Sequence, residues 1–313
     1  MHRSGWLRQL FPFASLLVVG LVIVILVSQI GTIRTLLTKA KGEPANIFVD
    51  TQAIIGPMPR VYRNLAQGGE NNGINLTPLK SRLQALHPEY IRIDHLYDFY
   101  VIVNRDGGNL TFDWSKLDQV IQGMQAVGAK PFISLSYMPP AISKGDIIDA
   151  PQNWAEWSTV IQRTVEHISG RAGLNLANVY YEVWNEPDLF GKWKTYGDKN
   201  YLTLYQSAAQ GAARAANVQP FKFGGPAITA FYEAWAKNLF KFVTTNNLRL
   251  DFFSWHRYSR DIDTFLEDVT KLNLVLDQFP NLKVNLETMI TEAGHDSEND
   301  AGYDGMYSAA HTV

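Results

Sequence analysis

Short apolar runs alternate with amphipathic stretches along most of this chain, and no other sequence feature constrains its fold as strongly. Between the runs, apolar side chains recur at helical spacing, for example over residues 117–127 and 154–168. Strict alternation of strands and helices is typical of parallel βαβ units. The runs that predict strands are NIFVD (46–50), YIRID (90–94), KPFISL (130–135), VYYEVW (179–184), KFGG (222–225), DFFSWH (251–256) and MITE (289–292).

Two architectures accommodate seven parallel strands with intervening helices: a (β/α)8 barrel that lacks one strand, and an open, doubly wound sheet. The first predicted strand is not followed by G-x-G-x-x-G, the signature of a dinucleotide-binding sheet. We therefore predict an α/β fold, a TIM (β/α)8 barrel. The sequence after the seventh run is short, and GYDGMYSAA (302–310) resembles the start of a seventh helix. We expect a barrel truncated before strand eight, as in a fragment of a longer protein.

The N-terminus carries a separate, strongly apolar segment. No residue between Arg8 and Arg34 is charged, and a helix of that length can cross a bilayer core of about 30 Å. A cleaved signal peptide is the alternative interpretation. Basic residues flank the segment equally on both sides, so charge does not decide the orientation. The predicted organisation is an N-terminal segment (1–33) with a transmembrane anchor at about 11–33, a tether (34–45) and a catalytic domain (46–313).

Composition excludes several classes of function. The net charge of −2 gives no reason to expect nucleic acid as a partner. The chain has no cysteine, which rules out a disulfide framework, thiolate metal sites and cysteine nucleophiles. A hydrophobic fraction of 46% with 19% charged residues describes a globular protein with ample core.

Carboxylates and other polar groups follow the predicted strands. The fourth strand ends in Asn185-Glu186, the sixth contains His256 and Tyr258, and the seventh ends in Glu292. In a barrel the carboxyl ends of all strands meet at one face, where catalytic groups lie. Hydrolysis of a glycosidic bond needs two carboxyl groups, one as an acid and one as a nucleophile or base. The sequence therefore predicts a glycosidase site at this face.

Several motifs together resemble glycoside hydrolase family 39, a β-xylosidase-like family in the clan of barrel glycosidases with catalytic glutamates on strands four and seven. The resemblance runs from about residue 46 to the end of the chain. The motifs that carry it are AQGGENN, PFISLSYMP, PQNWAEWSTVIQRTVEHISGRAG, VYYEVWNEPDL, DFFSWHRYS, ITEAG and ENDAGYDGMYSAAH.

The resemblance implies a role for each matching residue. Glu186 matches the general acid/base, Glu292 the nucleophile, and Asn185 the amide that bonds the 2-hydroxyl of the sugar. Tyr258, with His256, matches the group that orients the nucleophile or contacts the sugar. The clan retains anomeric configuration, which implies carboxyl groups about 5–5.5 Å apart. Neither a metal nor an organic cofactor is implied.

Some residues also have other interpretations. Glu287 lies five residues before Glu292 and is the alternative nucleophile, although Glu292 directly follows a buried run. His256 could be a core histidine with no role in chemistry. Asp94 and His95 end the second strand and could bind sugar hydroxyls. Arg92 matches an arginine that family members follow closely with a histidine, and in this chain Asp94 intervenes before His95.

The predicted function is that of a membrane-anchored retaining glycosidase. Its substrate would be a β-xyloside or a related polysaccharide or exopolysaccharide, cleaved outside the cytoplasm, with no obligate protein partner. One alternative is an endo-β-glucanase or mannanase that resembles family 5. The alternative of another class is a catalytically silent glycan-binding protein on an incomplete barrel.

Overall fold

The computed structural model describes residues 60–67 and 76–298, together with Asp50, Gln52, Ala53 and Gly56. The chain divides into two compact units, Met1–Pro59 and Arg60–Val313, and the architecture below belongs to the second. Among the described residues, no helix has the length and apolar character needed to span a bilayer. The predicted anchor at 11–33 lies outside those residues and stays a prediction.

A nearly closed parallel barrel of seven strands forms the centre of the second unit. The strands lie in the order β1-β2-β5-β6-β7-β8-β9, and each neighbouring pair is parallel. Within the described part of the chain, β1 and β9 each pair on one side only. This is the arrangement of strands one to seven of a TIM barrel, as the sequence predicts. The strands are β1 (Asn64–Gln67), β2 (Tyr90–Ile93), β5 (Lys130–Leu135), β6 (Val179–Val183), β7 (Phe221–Ile228), β8 (Phe252–Tyr258) and β9 (Glu287–Gly294).

The run predicted as the first strand, residues 46–50, lies almost wholly outside the described residues, and a different stretch occupies the first place in the barrel. The strand that pairs with β2 is Asn64–Gln67, while Asp50 has no regular secondary structure and residues 46–49 lie outside the described part. Only Leu65 is a large apolar residue in β1, so this strand lacks the hydrophobic signal by which the others were found. The AQGGENN motif marks its position, because that motif begins on the last two residues of β1.

Helices follow the strands and cover the outside of the sheet. The longest, α4 (Trp154–Ile168), begins after Asn153, whose side chain accepts a hydrogen bond of 2.9 Å from the Ala155 backbone N–H and so caps the helix. Its apolar stripe is buried, with Trp157 wholly inaccessible. The helices are α1 (Lys80–Leu86), α2 (Leu96–Phe99), α3 (Ser115–Ala126), α4 (Trp154–Ile168), α5 (Tyr201–Arg214), α6 (Glu233–Thr245), α7 (Asp263–Leu276) and α8 (Pro280–Lys283), with 3-10 turns at Val61–Arg63 and Thr77–Leu79.

A β-hairpin that the sequence analysis missed lies between β2 and α3. Its strands, β3 (Val103–Asp106) and β4 (Asn109–Phe112), pair antiparallel. They are joined by Gly107 and Gly108, both with positive φ, and two such residues make the tight turn that suits a twisted hairpin. The Gly-Gly pair between short polar-apolar runs was the available signal.

One cluster of aromatic side chains packs inside the barrel, and a buried cluster of polar side chains contacts Asn185 and Glu292. In the aromatic cluster, Phe132 stacks on Tyr180 with ring centroids 5.1 Å apart, and Phe252 lies 5.3 Å from Tyr180. The buried polar side chains include Arg92 and Glu182.

Candidate active site

Glu186 lies just beyond β6, on a loop with an unusual backbone. Its φ of 45° is in the left-handed region, which non-glycine residues enter at a cost and chiefly where the surroundings hold them. Its N–H donates to the Ala227 carbonyl (2.9 Å) at β7, and its own carbonyl accepts from Leu189 (3.0 Å) and Phe190 (2.7 Å). These bonds tie the turn that carries Glu186 to the neighbouring strand.

A second contact fixes the same loop. The Asp188 carboxylate accepts a hydrogen bond of 3.1 Å from the Thr229 backbone N–H, and the Thr229 hydroxyl also donates to it. Because Thr229 directly follows β7, the barrel itself sets the position of the loop.

Glu292 lies on β9, next to an irregularity in the strand pairing. Trp255 pairs with Ile290 and His256 with Glu292, so Thr291 is an extra residue at that point. A bulge of this kind redirects side chains, and bulges often occur beside active sites. Here it lets the side chains of Thr291 and Glu292 both reach groups inside the barrel, as their contacts show.

Three groups surround the Glu292 carboxylate. Arg92 donates to Oε1 at 2.7 Å, Tyr258 donates to Oε2 at 3.1 Å, and Nδ1 of His256 lies 3.4 Å from Oε2. Burial would raise the pKa of Glu292. The positive charge of Arg92 and the contacts with His256 and Tyr258 outweigh burial and lower that pKa below the usual range of a glutamate. Glu292 is thus held ionised, as a nucleophile needs.

His256 connects the two glutamates. Its Nδ1 lies 2.8 Å from Oε1 of Glu186, and the ring is fully buried. One oxygen of Glu186, one oxygen of Glu292 and a ring nitrogen of His256 all lie within 4.8 Å of one another. The structure therefore brings both predicted carboxyl groups and His256 together at the carboxyl ends of the strands.

Asn185 is fixed on both sides of its amide. Its Oδ1 accepts a hydrogen bond of 2.9 Å from Arg92, and its Nδ2 donates to the Tyr137 hydroxyl at 3.1 Å. Burial raises the pKa of Tyr137, so the hydroxyl stays protonated. These contacts hold the amide of Asn185 beside Glu186, where the resemblance places a ligand for the sugar 2-hydroxyl.

Asp94 and His95 differ in how they are held. Asp94 is 6% exposed, and no other described side chain donates a hydrogen bond to its carboxylate. Burial raises the pKa of Asp94, and the charge of Arg92 offsets this only in part. His95 lies 2.6 Å from Asp98 and stacks on Phe99 at 4.2 Å. The Asp94 carboxylate thus lacks a side-chain donor within the described residues, whereas one ring nitrogen of His95 is already engaged.

Glu287, the alternative nucleophile, lies at the other end of β9. It pairs with Phe252 at the start of β8. Its carboxylate accepts a hydrogen bond of 2.6 Å from Tyr180 and contacts Lys222 at 2.8 Å. These partners belong to the amino-end half of the barrel, away from the loop of Glu186, which favours Glu292 as the nucleophile.

Glu182 is a site residue that the sequence analysis did not select, and Arg92 entered it only as a match to a family arginine. Arg92 contacts Glu182, Glu292 and Asn185 with three different nitrogens, at 2.7, 2.7 and 2.9 Å. The available signal was a charged residue in each of two buried strands, since buried charges occur almost only in pairs. The missed Tyr137 follows the third barrel strand and carried no such signal.

The described residues offer one set of possible metal ligands, formed by Glu186, His256 and Glu292. Arg92 already places a positive charge 2.7 Å from Glu292, so a cation there would be repelled. The chemistry assigned to the two glutamates also needs no metal. The absence of a metal requirement stays a prediction, and we expect a chelator to leave turnover unchanged.

Comparison with known proteins gives one family and a consistent set of relatives. Residues 72–303 match the model of glycosyl hydrolases family 39. The chain is 33% identical over 195 residues to a beta-xylosidase of Caldicellulosiruptor saccharolyticus, covering 59% of this chain and 39% of that protein. It is 28% identical over 158 residues to a beta-xylosidase of Geobacillus stearothermophilus, covering 47% of this chain and 31% of that protein.

Solved structures agree in fold. A monomeric beta-xylosidase from Caulobacter crescentus CB15 superposes with a TM-score of 0.64 at 26% identity, covering 75% of this chain and 52% of that one. The family 39 enzyme from Xanthomonas axonopodis pv. citri gives a TM-score of 0.58 at 26% identity, covering 70% and 47%. The chain thus spans about half or less of the length of these relatives. With a model match that covers most of its length, this chain belongs to glycosyl hydrolases family 39.

Proposed function

We propose that this protein hydrolyses β-glycosidic bonds with retention of anomeric configuration, with Glu186 as acid/base and Glu292 as nucleophile. The observation that carries the proposal is the pair of carboxylates with oxygens within 4.8 Å of each other, one of them held ionised by Arg92. Oxygens this close suit direct attack by the second carboxylate, because inverting enzymes hold their carboxyl groups about 6.5–9.5 Å apart to admit a water.

In the first step, an oxygen of Glu292 attacks the anomeric carbon. The bond from that carbon to the leaving oxygen breaks, and Glu186 gives its proton to that oxygen. The product is a glycosyl ester on Glu292 and an ionised Glu186. In the second step, Glu186 takes a proton from water, the resulting hydroxide displaces Glu292 from the sugar, and both side chains return to their starting states.

His256 and Asn185 support these steps. Nδ1 of His256 contacts both glutamates. In the first step the negative charge passes from Glu292 to Glu186, and His256 can keep a hydrogen bond to whichever carboxylate is ionised. Asn185, held by Arg92 and Tyr137, offers an amide beside the acid/base, and bonds to the 2-hydroxyl strengthen in the transition state.

The proposed substrate is a β-xyloside or a related poly- or exopolysaccharide. Support comes from relatives named as beta-xylosidases in both sequence and structure comparisons.

We also propose that residues 11–33 anchor the protein in a membrane with the catalytic domain outside the cytoplasm; the support is sequence alone. Retention in the membrane fraction after a carbonate wash, with the domain open to protease on intact cells, is the expected result. A domain protected in intact cells would contradict this orientation.

Turnover of an aryl β-xyloside, with proton NMR of the first-formed sugar, tests the function. We expect the β anomer to appear first and then to mutarotate. Glu292→Ala should abolish turnover, and added azide should restore product as a glycosyl azide, because a small anion can replace the missing nucleophile. Glu287→Ala, the matched change on the same strand, should stay active. Azide rescue of Glu287→Ala instead, or initial release of the α anomer, would contradict the proposal. Binding of oligosaccharides without turnover would favour a silent glycan-binding protein.

A further inference from the structure

Glu182 is a fully buried carboxylate with two defined contacts inside the barrel. It lies on β6, four residues before Glu186. Its Oε2 accepts a hydrogen bond from Nε of Arg92 at 2.7 Å, with Nη2 also 2.7 Å away, and its Oε1 accepts one from the Thr291 hydroxyl at 2.9 Å. Taking a carboxylate out of water costs several kcal/mol, and the cost is offset only by close partners.

The contacts of Glu182 lead directly to the nucleophile. Arg92 uses separate nitrogens for Glu182 and Glu292, and Thr291 is the residue before Glu292 in the chain. The planar guanidinium has its donors in a fixed fork, so the bond to Glu182 determines where the nitrogens aimed at Glu292 and Asn185 lie. A displacement of about 1 Å at such a group can cost on the order of a hundredfold in rate.

The charge of Arg92 needs a partner throughout the reaction. In the free protein the charged groups around it are Glu182, Glu292 and Asp94. When Glu292 bonds to the anomeric carbon, its negative charge is lost to the ester, and the electron pair of the broken bond leaves with the protonated alcohol. Arg92 is then buried beside a neutral ester, and Glu182 is the remaining carboxylate bonded to it.

We propose that Glu182 is a positioning residue, which aims Arg92 at Glu292 and remains its counter-charge while Glu292 is esterified. The inference rests on the proposed function and adds to it the control of the nucleophile's charge. If Glu182 served only to satisfy a buried arginine, its removal would change stability and leave the kcat/KM of the folded protein near the wild-type value.

Glu182→Gln separates charge from shape. The amide oxygen can still accept from Arg92 and the amide N–H can donate to Thr291, while one negative charge is lost. Arg92 then attracts Glu292 without competition, so the Glu292 carboxylate becomes harder to protonate and less nucleophilic. We expect its midpoint of titration to fall by ~1 pH unit and kcat/KM to fall ~10- to 100-fold.

The titration is measured without substrate, by NMR of the whole protein labelled with carbon-13 at the glutamate carboxyl groups. Glu292→Gln assigns the signal, and the groups facing it are Arg92, Asp94, Glu186, His256 and Tyr258. Glu287→Gln is the matched control, because it removes a charge at the far end of β9; it should leave the midpoint of Glu292 in place. A midpoint unchanged or raised by Glu182→Gln in a folded protein would overturn the proposal.

Kinetics separate this inference from the proposed function. If the wild-type protein cleaves no aryl β-glycoside, the proposed function is contradicted, while the titration still decides the role of Glu182.

Should Glu182→Gln not fold, Glu182→Asp takes its place, since it keeps the charge but draws the carboxylate back from Arg92 and Thr291. We expect kcat to fall at least ~10-fold with little change in KM. A wild-type kcat in Glu182→Asp would overturn the positioning role.

Discussion

At the scale of single residues, hydrogen-bond partners and burial together set the charge of each carboxylate. Glu292 and Asp94 are both largely buried, and burial raises the pKa of each. Glu292 receives hydrogen bonds from Arg92 and Tyr258, and its pKa falls below the usual range. Asp94 receives none from another described side chain, and its pKa rises. Binding of a sugar hydroxyl by Asp94 stays a prediction, and it would supply the donor that the carboxylate lacks.

Asp94→Asn is expected to stabilise the protein and weaken substrate binding. Because the pKa of Asp94 is raised on folding, its ionised form destabilises the folded state. The increase in the free energy of unfolding should be absent below about pH 4, where an aspartate is protonated in the unfolded chain as well. It should be complete once the pH exceeds the pKa of Asp94 in the folded protein. Each kcal/mol gained raises Tm by about 2–4 °C in a domain of this size. Melting curves at acid and neutral pH, with KM on one substrate, check both effects; equal Tm at neutral pH would contradict the account.

The two glutamates of the candidate site could be predicted from sequence, because they follow strongly apolar strands in a short motif. Glu182 was missed, and Arg92 was noted only as a match to a family arginine, because their function depends on contacts between strands that are not neighbours. Closure of the barrel brings Arg92 of β2 to Glu182 of β6 and Glu292 of β9, which local spacing does not reveal. A charged residue in each of two buried strands nevertheless predicts a pair in general terms.

At the scale of elements, the loop after β6 depends on β7 for its position. Thr229→Val removes the hydroxyl that bonds to Asp188 and keeps the shape of the side chain. The loop that carries Glu186 should loosen, and kcat/KM should fall ~10-fold or more, because misplacement of a catalytic group is costly. Stability should change by about 1 kcal/mol. Thr270→Val, an exposed threonine on α7, is the control and should keep full activity. Equal kcat/KM in the two variants would show that the loop needs no such contact.

Elements with a strong hydrophobic period were predicted, and the polar ones were missed. Six of the seven predicted runs lie on strands of the barrel. Strand β1 has little apolar character and is held by pairing with β2, so its existence depends on a tertiary contact. The β3–β4 hairpin depends on turn chemistry at Gly107 and Gly108, which a search for hydrophobic period does not detect.

At the scale of the whole molecule, the buried ion pairs of Arg92 with Glu182 and Glu292 contribute both to the proposed catalysis and to stability. Arg92→Met leaves Glu182 and Glu292 buried without their cation, and breaking such a pair costs about 3–5 kcal/mol. Because Arg92 lowers the pKa of Glu292, its removal favours protonation of Glu292, so the loss should be largest near neutral pH and shrink as the pH falls towards 4. Urea unfolding at several pH values measures this. Lys237→Met removes an exposed partner of Glu233 and should cost less than about 1 kcal/mol at every pH. An equal, pH-independent loss in both variants would contradict the role of the cluster.

The central claim, that Glu292 is the nucleophile of a retaining glycosidase, is tested most directly by trapping the glycosyl ester. A 2-deoxy-2-fluoro xyloside with a good leaving group slows the second step more than the first, so the ester accumulates. Digestion and mass spectrometry should then place one sugar on Glu292, with none on Glu287 in the same strand, and Glu292→Gln should remain unlabelled. A sugar found on Glu287 or Glu182, or turnover of the ordinary xyloside with no ester formed by the fluoro analogue, would contradict the account.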